Sequence, residues 1–527
     1  MAKFNVTDTR AARGNSPITA ERTPSTVTHE GGPGYVRDTK SELFLLAVSN
    51  FVGEKTFYES ADQRDNRYAT LVRQAAVADP QWTAGFLGWL RGGGNMRSAS
   101  LVGALEAASA MLTAKIPGAR PIVASVLQRA DEPGEALAYW TSHYGRAIPK
   151  PVKRGVADAV EMLYTEYNLL KYDTASKGFR FGDVIDLVHP VPHPERRNAG
   201  ALYRYALDRR HGRDNEIPET LAMVRRNAWL RNDGEDDDWL NPETLRSAGM
   251  TWEDVMSACG GNMTKRLLWE ALIPSMGYMA LLRNLRNFDE AGLPDTVAEQ
   301  VAARLADPEQ VAKSRQFPFR FLSAYEAAPS LRWGHALDKA LQASLGNLPA
   351  FPGRTLVLVD TSASMTNTSY SAKSKVVPLK AAAVFGVALA ARGEQVDLVG
   401  FADGTRPFRH PIARGDSVIR EVDRFVKRSG EDGHGTNIAG SLRRTFAGHD
   451  RVVLVSDMQT MDSAVTSAIP RAVPLYGFNL GGYAPAAFDA GSTNRIEFGG
   501  LTDATFRMIP LIEAGRNAAW PWENPTS

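Results

Sequence analysis

The chain has 527 residues, 43% of them hydrophobic and 23% charged, which is more than one hydrophobic core usually organises and excludes a small binding module, a disordered chain and a collagen-like repeat. Lysine and arginine number 61 against 59 acidic residues, a formal net charge of +2, so bulk electrostatics give no pull toward a polyanion and any nucleic-acid surface has to be local. The single cysteine, Cys259, excludes an internal disulfide and a thiolate zinc cluster, and it fits a reducing, cytoplasmic setting.

Residues 1–30 contain no apolar run of the kind a secretory signal needs and read as a flexible lead-in. Residues 31–350 carry helical periodicity almost throughout: Leu101, Leu105, Ala108 and Leu112 repeat at helical spacing behind a capping Ser100, and Val152, Val156, Val160 and Leu163 do the same. Short Pro/Gly loops such as IPGARP and HPVPHPE punctuate the pattern, which points to stacked helix pairs of the HEAT or armadillo kind. After NLPAFPGR the grammar changes to apolar runs alternating with helical segments over residues 351–527, as expected of a doubly wound α/β domain. The longest uncharged helical run, Ala381 to Ala391, is too short to cross a bilayer.

Ligands of such sheets collect at the carboxyl ends of the strands. That rule singles out Asp360, Ser362 and Ser364 in DTSAS after the strand TLVLV, Thr436 in the loop SGEDGHGT, and Asp457 after RVVLVS. Two carboxylates and three hydroxyls make an oxygen-only set suited to Mg²⁺ or another hard divalent ion, and unsuited to zinc. Taken alone, DTSAS reads equally well as a strand end with helix-capping serines. His434, two residues before Thr436, is the one candidate general base near the motif, and it leaves metal-dependent phosphoester hydrolysis as an alternative chemistry.

With DTSAS, the GT loop and the strand-terminal SD all present, residues 352–527 resemble a von Willebrand factor A domain with its metal-ion-dependent adhesion site. The resemblance implies an ion that coordinates an acidic residue of a partner rather than one that hydrolyses. The segments GYVRDTKSELFLLAVSNFVGEKTFYES, SMGYMALLRNLRNF, RQFPFRFLSAYEA and LRWGHALDKAL resemble the TROVE module of the Ro autoantigen family. A TROVE ring of HEAT-like helices followed at once by DTSASM is that family's arrangement, so the expected fold class is α plus α/β, as in a bacterial Ro homologue. The resemblance implies a non-enzymatic scaffold in RNA quality control. Y-type noncoding RNA would bind the ring's outer face, single-stranded 3′ ends of defective RNAs its central hole, and polynucleotide phosphorylase would be a partner of a monomeric ring.

Residues 141–180 hold the local charge such a role needs, with seven basic against four acidic side chains. Lys150, Lys153 and Arg154 lie at i, i+3 and i+4, away from the Val152/Val156/Val160 stripe, as a phosphate-binding ridge or a solvated helix face. Lys171, Lys177 and Arg180 add charge nearby, and His189 in DVIDLVHP matches a histidine that precedes the family's Y-RNA contacts. Arg283 and Arg286 share the polar face of a helix whose other face carries Leu281, Leu282 and Leu285; they read as a solvated helix face or, free to project from the scaffold, as part of the basic groove that the resemblance implies for the hole. A protein-only, metal-dependent adapter is the remaining alternative.

Overall fold

The computed structural model describes residues 14–49, 51–213, 216–346, 348–371, 376–413 and 415–523. Helices run from Thr39–Ser49 to Leu331–Ser344, most of them packed against helices close to them in the chain. Their apolar stripes explain the packing. In Lys150–Leu163, Val152, Val156 and Val160 are fully buried while Lys150 and Arg154 face solvent, and each buried valine contributes roughly 1.5–3 kcal/mol. Helix Arg97–Thr113 starts earlier than its apolar repeat suggests. Ser100 lies inside its first turn with Oγ donating to the Arg97 carbonyl (2.9 Å), so it does not cap the helix. The two ends of the helical half meet where the Phe51 ring lies 6.0 Å from Phe317.

The nine strands of the described residues are, in chain order, β1 (Thr26–Val27), β2 (Pro33–Val36), β3 (Arg354–Asp360), β4 (Gln395–Phe401), β5 (Phe408–Arg409), β6 (Arg451–Ser456), β7 (Leu475–Asn479), β8 (Pro485–Ala486) and β9 (Arg495–Gly499). Six of them form one sheet in the order β5-β4-β3-β6-β7-β9. It is parallel except for the edge strand β5. TLVLV forms the centre because its residues are buried on both faces, which only a sheet covered on both sides allows. The chain moves from β3 to β4 on one side and later adds β6 on the other, so the sheet's switch point lies at the carboxyl ends of β3 and β6. Asp360 ends β3 and Asp457 directly follows β6.

The N-terminal segment departs from the flexible lead-in that its composition suggests. Residues 1–13 lie outside the described residues, but residues 14–30 are packed onto the C-terminal domain. β1 and β2 pair as a hairpin, and β2 pairs in turn with β8. Arg37 then anchors the segment: its guanidinium forms a fully buried ion pair with Glu497 of β9 (2.6 Å) and donates to the carbonyls of Tyr483 and Ala484. Hydrogen bonds across the chain satisfy this stretch, which no local periodicity could have shown. The other end reciprocates, since the Trp520 and Trp522 rings pack tilted or edge-on against Phe44, Trp82 and Phe86 of the first helices. Gly85 has no room for a Cβ, which would meet the Trp522 ring at 2.5 Å. Both ends of the described chain thus bind the halves together.

Candidate metal centre and candidate nucleic-acid interface

All five oxygen donors expected at the sheet's carboxyl edge are buried there. Asp360 is held from two sides. Its Oδ1 accepts the Ser362 backbone N–H (2.9 Å) and its Oδ2 accepts the Ser456 hydroxyl (2.6 Å). Ser362 and Ser364 lie hydroxyl to hydroxyl at 3.2 Å, as the alternation in DTSAS requires. On the opposite side, Asp457 Oδ1 accepts the Gln459 N–H (3.1 Å). Asp457 Oδ2 and Thr436 Oγ1 are buried with no hydrogen-bond partner among the described residues.

Two such orphans cost on the order of 1–3 kcal/mol each unless something satisfies them. Burial raises the pKa of both carboxyls, and at Asp457 the charge of Asp360 adds to it. A cavity of about 20 Å³, lined in part by Ser364 and Asp457, has room for one water-sized sphere. Among the described residues no three His, Cys, Asp or Glu side chains form a metal-holding group of their own, so an ion here depends on the hydroxyls. The donor set therefore fits a hard divalent cation, held by Asp360, Ser362, Ser364, Thr436 and Asp457. When bound, the ion would supply a Lewis-acidic position for one more oxygen. The ring of His434 is exposed, and its backbone carbonyl accepts the Ala363 N–H (2.7 Å), which ties the loop to DTSAS.

A larger feature lies in the helical half. A cavity of about 1060 Å³ is lined by Arg129, Lys171, Arg283, Arg304 and Lys313, against two acidic side chains, Glu253 and Asp254. Tyr167, Tyr172, Trp252 and Tyr278 supply aromatic surface. Lys171 projects over the rings of Tyr167 and Tyr172 at 5.4 and 5.3 Å. Arg304 donates to the carbonyls of Ile273 and Met276 (2.8 and 2.6 Å), while Arg129 is paired with Asp131 (2.8 Å) and Lys313 with Glu309 (3.4 Å). Asp254 is itself occupied by Arg231 (2.7 Å). Among the described residues Lys171 and Arg283 have no ion pair, which leaves their charge available to a phosphate.

The structure brings together only part of the expected nucleic-acid set. Lys171 and Arg283 share the cavity, but Arg286 is exposed and paired with Glu290 one turn on (2.7 Å). Arg180 is bound to the buried Asp173 (2.8 Å), and Lys177 lies 3.6 and 3.5 Å from Asp131 and Glu135. Lys150, Lys153 and Arg154 stand apart on their own helix. His189 closes helix Phe181–Val188 in the left-handed conformation (φ 49°), with its N–H bonded to Ile185 (2.9 Å) and its side chain exposed. Arg129, Arg304 and Lys313 escape a reading of the sequence because they sit on separate elements with no shared motif.

Comparison with known proteins agrees with this architecture. Residues 246–345 match the TROVE domain family. The crystal structure of the Ro (RSR) protein of Deinococcus radiodurans superposes with a TM-score of 0.59 over 91% of this chain and 100% of that one, at 17% identity. Residues 246–345 are thus similar to a TROVE domain, and the chain shares the fold of that Ro protein. Telomerase protein component 1 of mouse and of rat are 41% and 40% identical to the chain over 83 residues, 15% of its length. The match spans only 3% of those relatives. The TROVE segment 246–345 contributes Trp252, Tyr278, Arg283, Arg304 and Lys313 to the large cavity.

Proposed function

We propose that this TROVE-domain protein binds noncoding RNA and serves as a scaffold in RNA quality control. The observation that carries the reading is the cavity of about 1060 Å³, where basic side chains alternate with aromatic ones. Single-stranded nucleic acid is held by that combination, with cations on the backbone and rings against the bases. Single-stranded 3′ ends of defective RNAs are its substrate, and a Y-type RNA occupies the outer face carrying Lys150, Lys153 and Arg154. The A-type domain is a docking module that depends on a divalent cation, with Mg²⁺ the ion of choice because its donors are all oxygen. Polynucleotide phosphorylase is the proposed protein partner of a monomeric, cytoplasmic particle.

In this reading the protein acts on RNA by holding it, not by cleaving it. Hydrolysis at the ion would need a base poised on the attacking water, and the exposed ring of His434 makes no hydrogen bond to Asp360, Ser362 or Asp457 among the described residues. A protein-only adapter is the second reading, supported by the buried, oxygen-lined ion site. Sequencing the RNA that copurifies with the full chain separates the two. Discrete hairpin-rich species support the RNA scaffold, and a particle that is free of RNA and unaffected by RNase overturns it.

A further inference from the structure

The carboxyl edge of a doubly wound sheet ordinarily opens onto a crevice, yet here the five oxygen donors are at most 4% exposed. Two N-terminal segments cover them. The turn between β1 and β2 lies on the loop that follows Asp457: Thr28 Oγ1 donates to the Thr460 carbonyl (2.5 Å), the Gly32 N–H donates to the same oxygen (3.1 Å), and the His29 N–H donates to Gln459 Oε1 (2.8 Å). A Cβ on Gly32 would collide with that carbonyl oxygen. The second segment, residues 51–59, joins helices Thr39–Ser49 and Ala61–Ala78, and its Lys55, Thr56 and Phe57 wall the small cavity together with Ser364 and Asp457.

The two segments are joined into one piece. The His29 ring lies flat on Tyr58 (4.9 Å, 3°), the Tyr58 hydroxyl donates to Glu30, and both rings meet Tyr483 edge-on (5.1 and 5.4 Å). Arg67 ties down the end of the second segment, pairing with Glu59 (2.9 Å) and Glu42 (2.8 Å) while donating to the Gly482 carbonyl (3.0 Å). The space left between this cover and the donors is about 20 Å³, which holds one water-sized sphere. An ion would fill it, and no volume remains for the carboxylate of another chain.

We propose that residues 28–32 and 51–59 form an autoinhibitory cover over the docking position of the A-type domain, so that an acidic group of a protein partner reaches the ion only after the cover lifts. Docking then takes two steps, release of the cover and coordination, and the partner's affinity scales with the fraction of chains that are open. The docking step rests on the ion site proposed above; the cover stands on its own contacts.

The test uses the full chain with Cys259→Ala, carrying one thiol at a time: Ser364→Cys among the buried donors, or Asn367→Cys at an exposed position three residues on. Without added metal, a water-soluble maleimide should label Ser364→Cys at least about tenfold more slowly than Asn367→Cys, because labelling waits for local opening. Gly32→Ala, whose added methyl wedges the turn off Thr460, and Tyr58→Ala, which removes the ring shared by both segments, should each speed labelling of Ser364→Cys and leave that of Asn367→Cys unchanged. In chains that keep Ser364 and Asn367, Mn²⁺ is the probe ion and acetate the probe carboxylate, read by water-proton relaxation: acetate should change the signal of bound Mn²⁺ in Gly32→Ala and not in the wild type. Equal labelling of the two thiols in a chain with an unaltered cover, or acetate acting alike on wild type and Gly32→Ala, overturns the cover. Protection of Ser364→Cys alongside a wild type that binds no Mn²⁺ keeps the cover and overturns the ion site, and the docking role with it.

Discussion

Removing the two unpaired cations of the large cavity is the most direct test of RNA binding. Lys171 and Arg283 line it without a carboxylate partner among the described residues, whereas Arg129, Lys313 and Arg304 are committed to Asp131, Glu309 and two carbonyls. If each neutralises one phosphate, Lys171→Ala with Arg283→Ala should flatten the log–log salt dependence of single-strand binding by about 1.4, at about 0.7 per phosphate. Extrapolated from 1 M salt to 0.1 M, that slope corresponds to about fivefold in affinity per phosphate, or about 25-fold for the pair. The assay is a fluorescence titration of a 3′-tailed RNA at several salt concentrations, with a blunt, fully paired RNA as competitor. Arg286→Ala is the internal control, because Arg286 already neutralises Glu290 outside the cavity. Equal weakening for tailed and blunt RNA, or an unchanged slope in the double variant, would refute the assignment of this cavity to single strands.

Replacing Lys150, Lys153 and Arg154 with alanine should lower the salt slope for structured RNA by about 0.9 for each phosphate no longer neutralised, and an unchanged slope would mean a merely solvated helix face. Mg²⁺ at about 100 times its dissociation constant should stabilise the folded chain by about 2.7 kcal/mol, read as a rise in melting temperature that EDTA reverses and Asp360→Ala abolishes. Arg37→Ala leaves Glu497 buried without its partner and should cost about 3–5 kcal/mol; a melting temperature like that of the wild type would show that the pair does not hold the N-terminal segment.

The two-part architecture and the oxygen set were legible in the chain alone. TLVLV can be buried on both faces only in the middle of a parallel sheet, so its terminal Asp360 had to lie at the switch point, and RVVLVS placed Asp457 beside it for the same reason. The Val152/Val156/Val160 stripe likewise settled which side of its helix is inside. Charge was less legible. Lys177 and Arg180 look available in a linear count, yet Asp131, Glu135 and Asp173 fold against them, and Arg304 and Lys313 join Lys171 only because the consecutive helices Asp295–Ala306 and Pro308–Ser314 face one cavity with the remote helix Glu166–Tyr172. Periodicity records how a segment meets its own core, and it carries nothing about which remote segment lies opposite. The N-terminal turn is the clearest case: no local pattern marks it, and only the hydrogen bonds of Thr28 and His29 to residues about 430 positions away bring it onto the loop that follows Asp457.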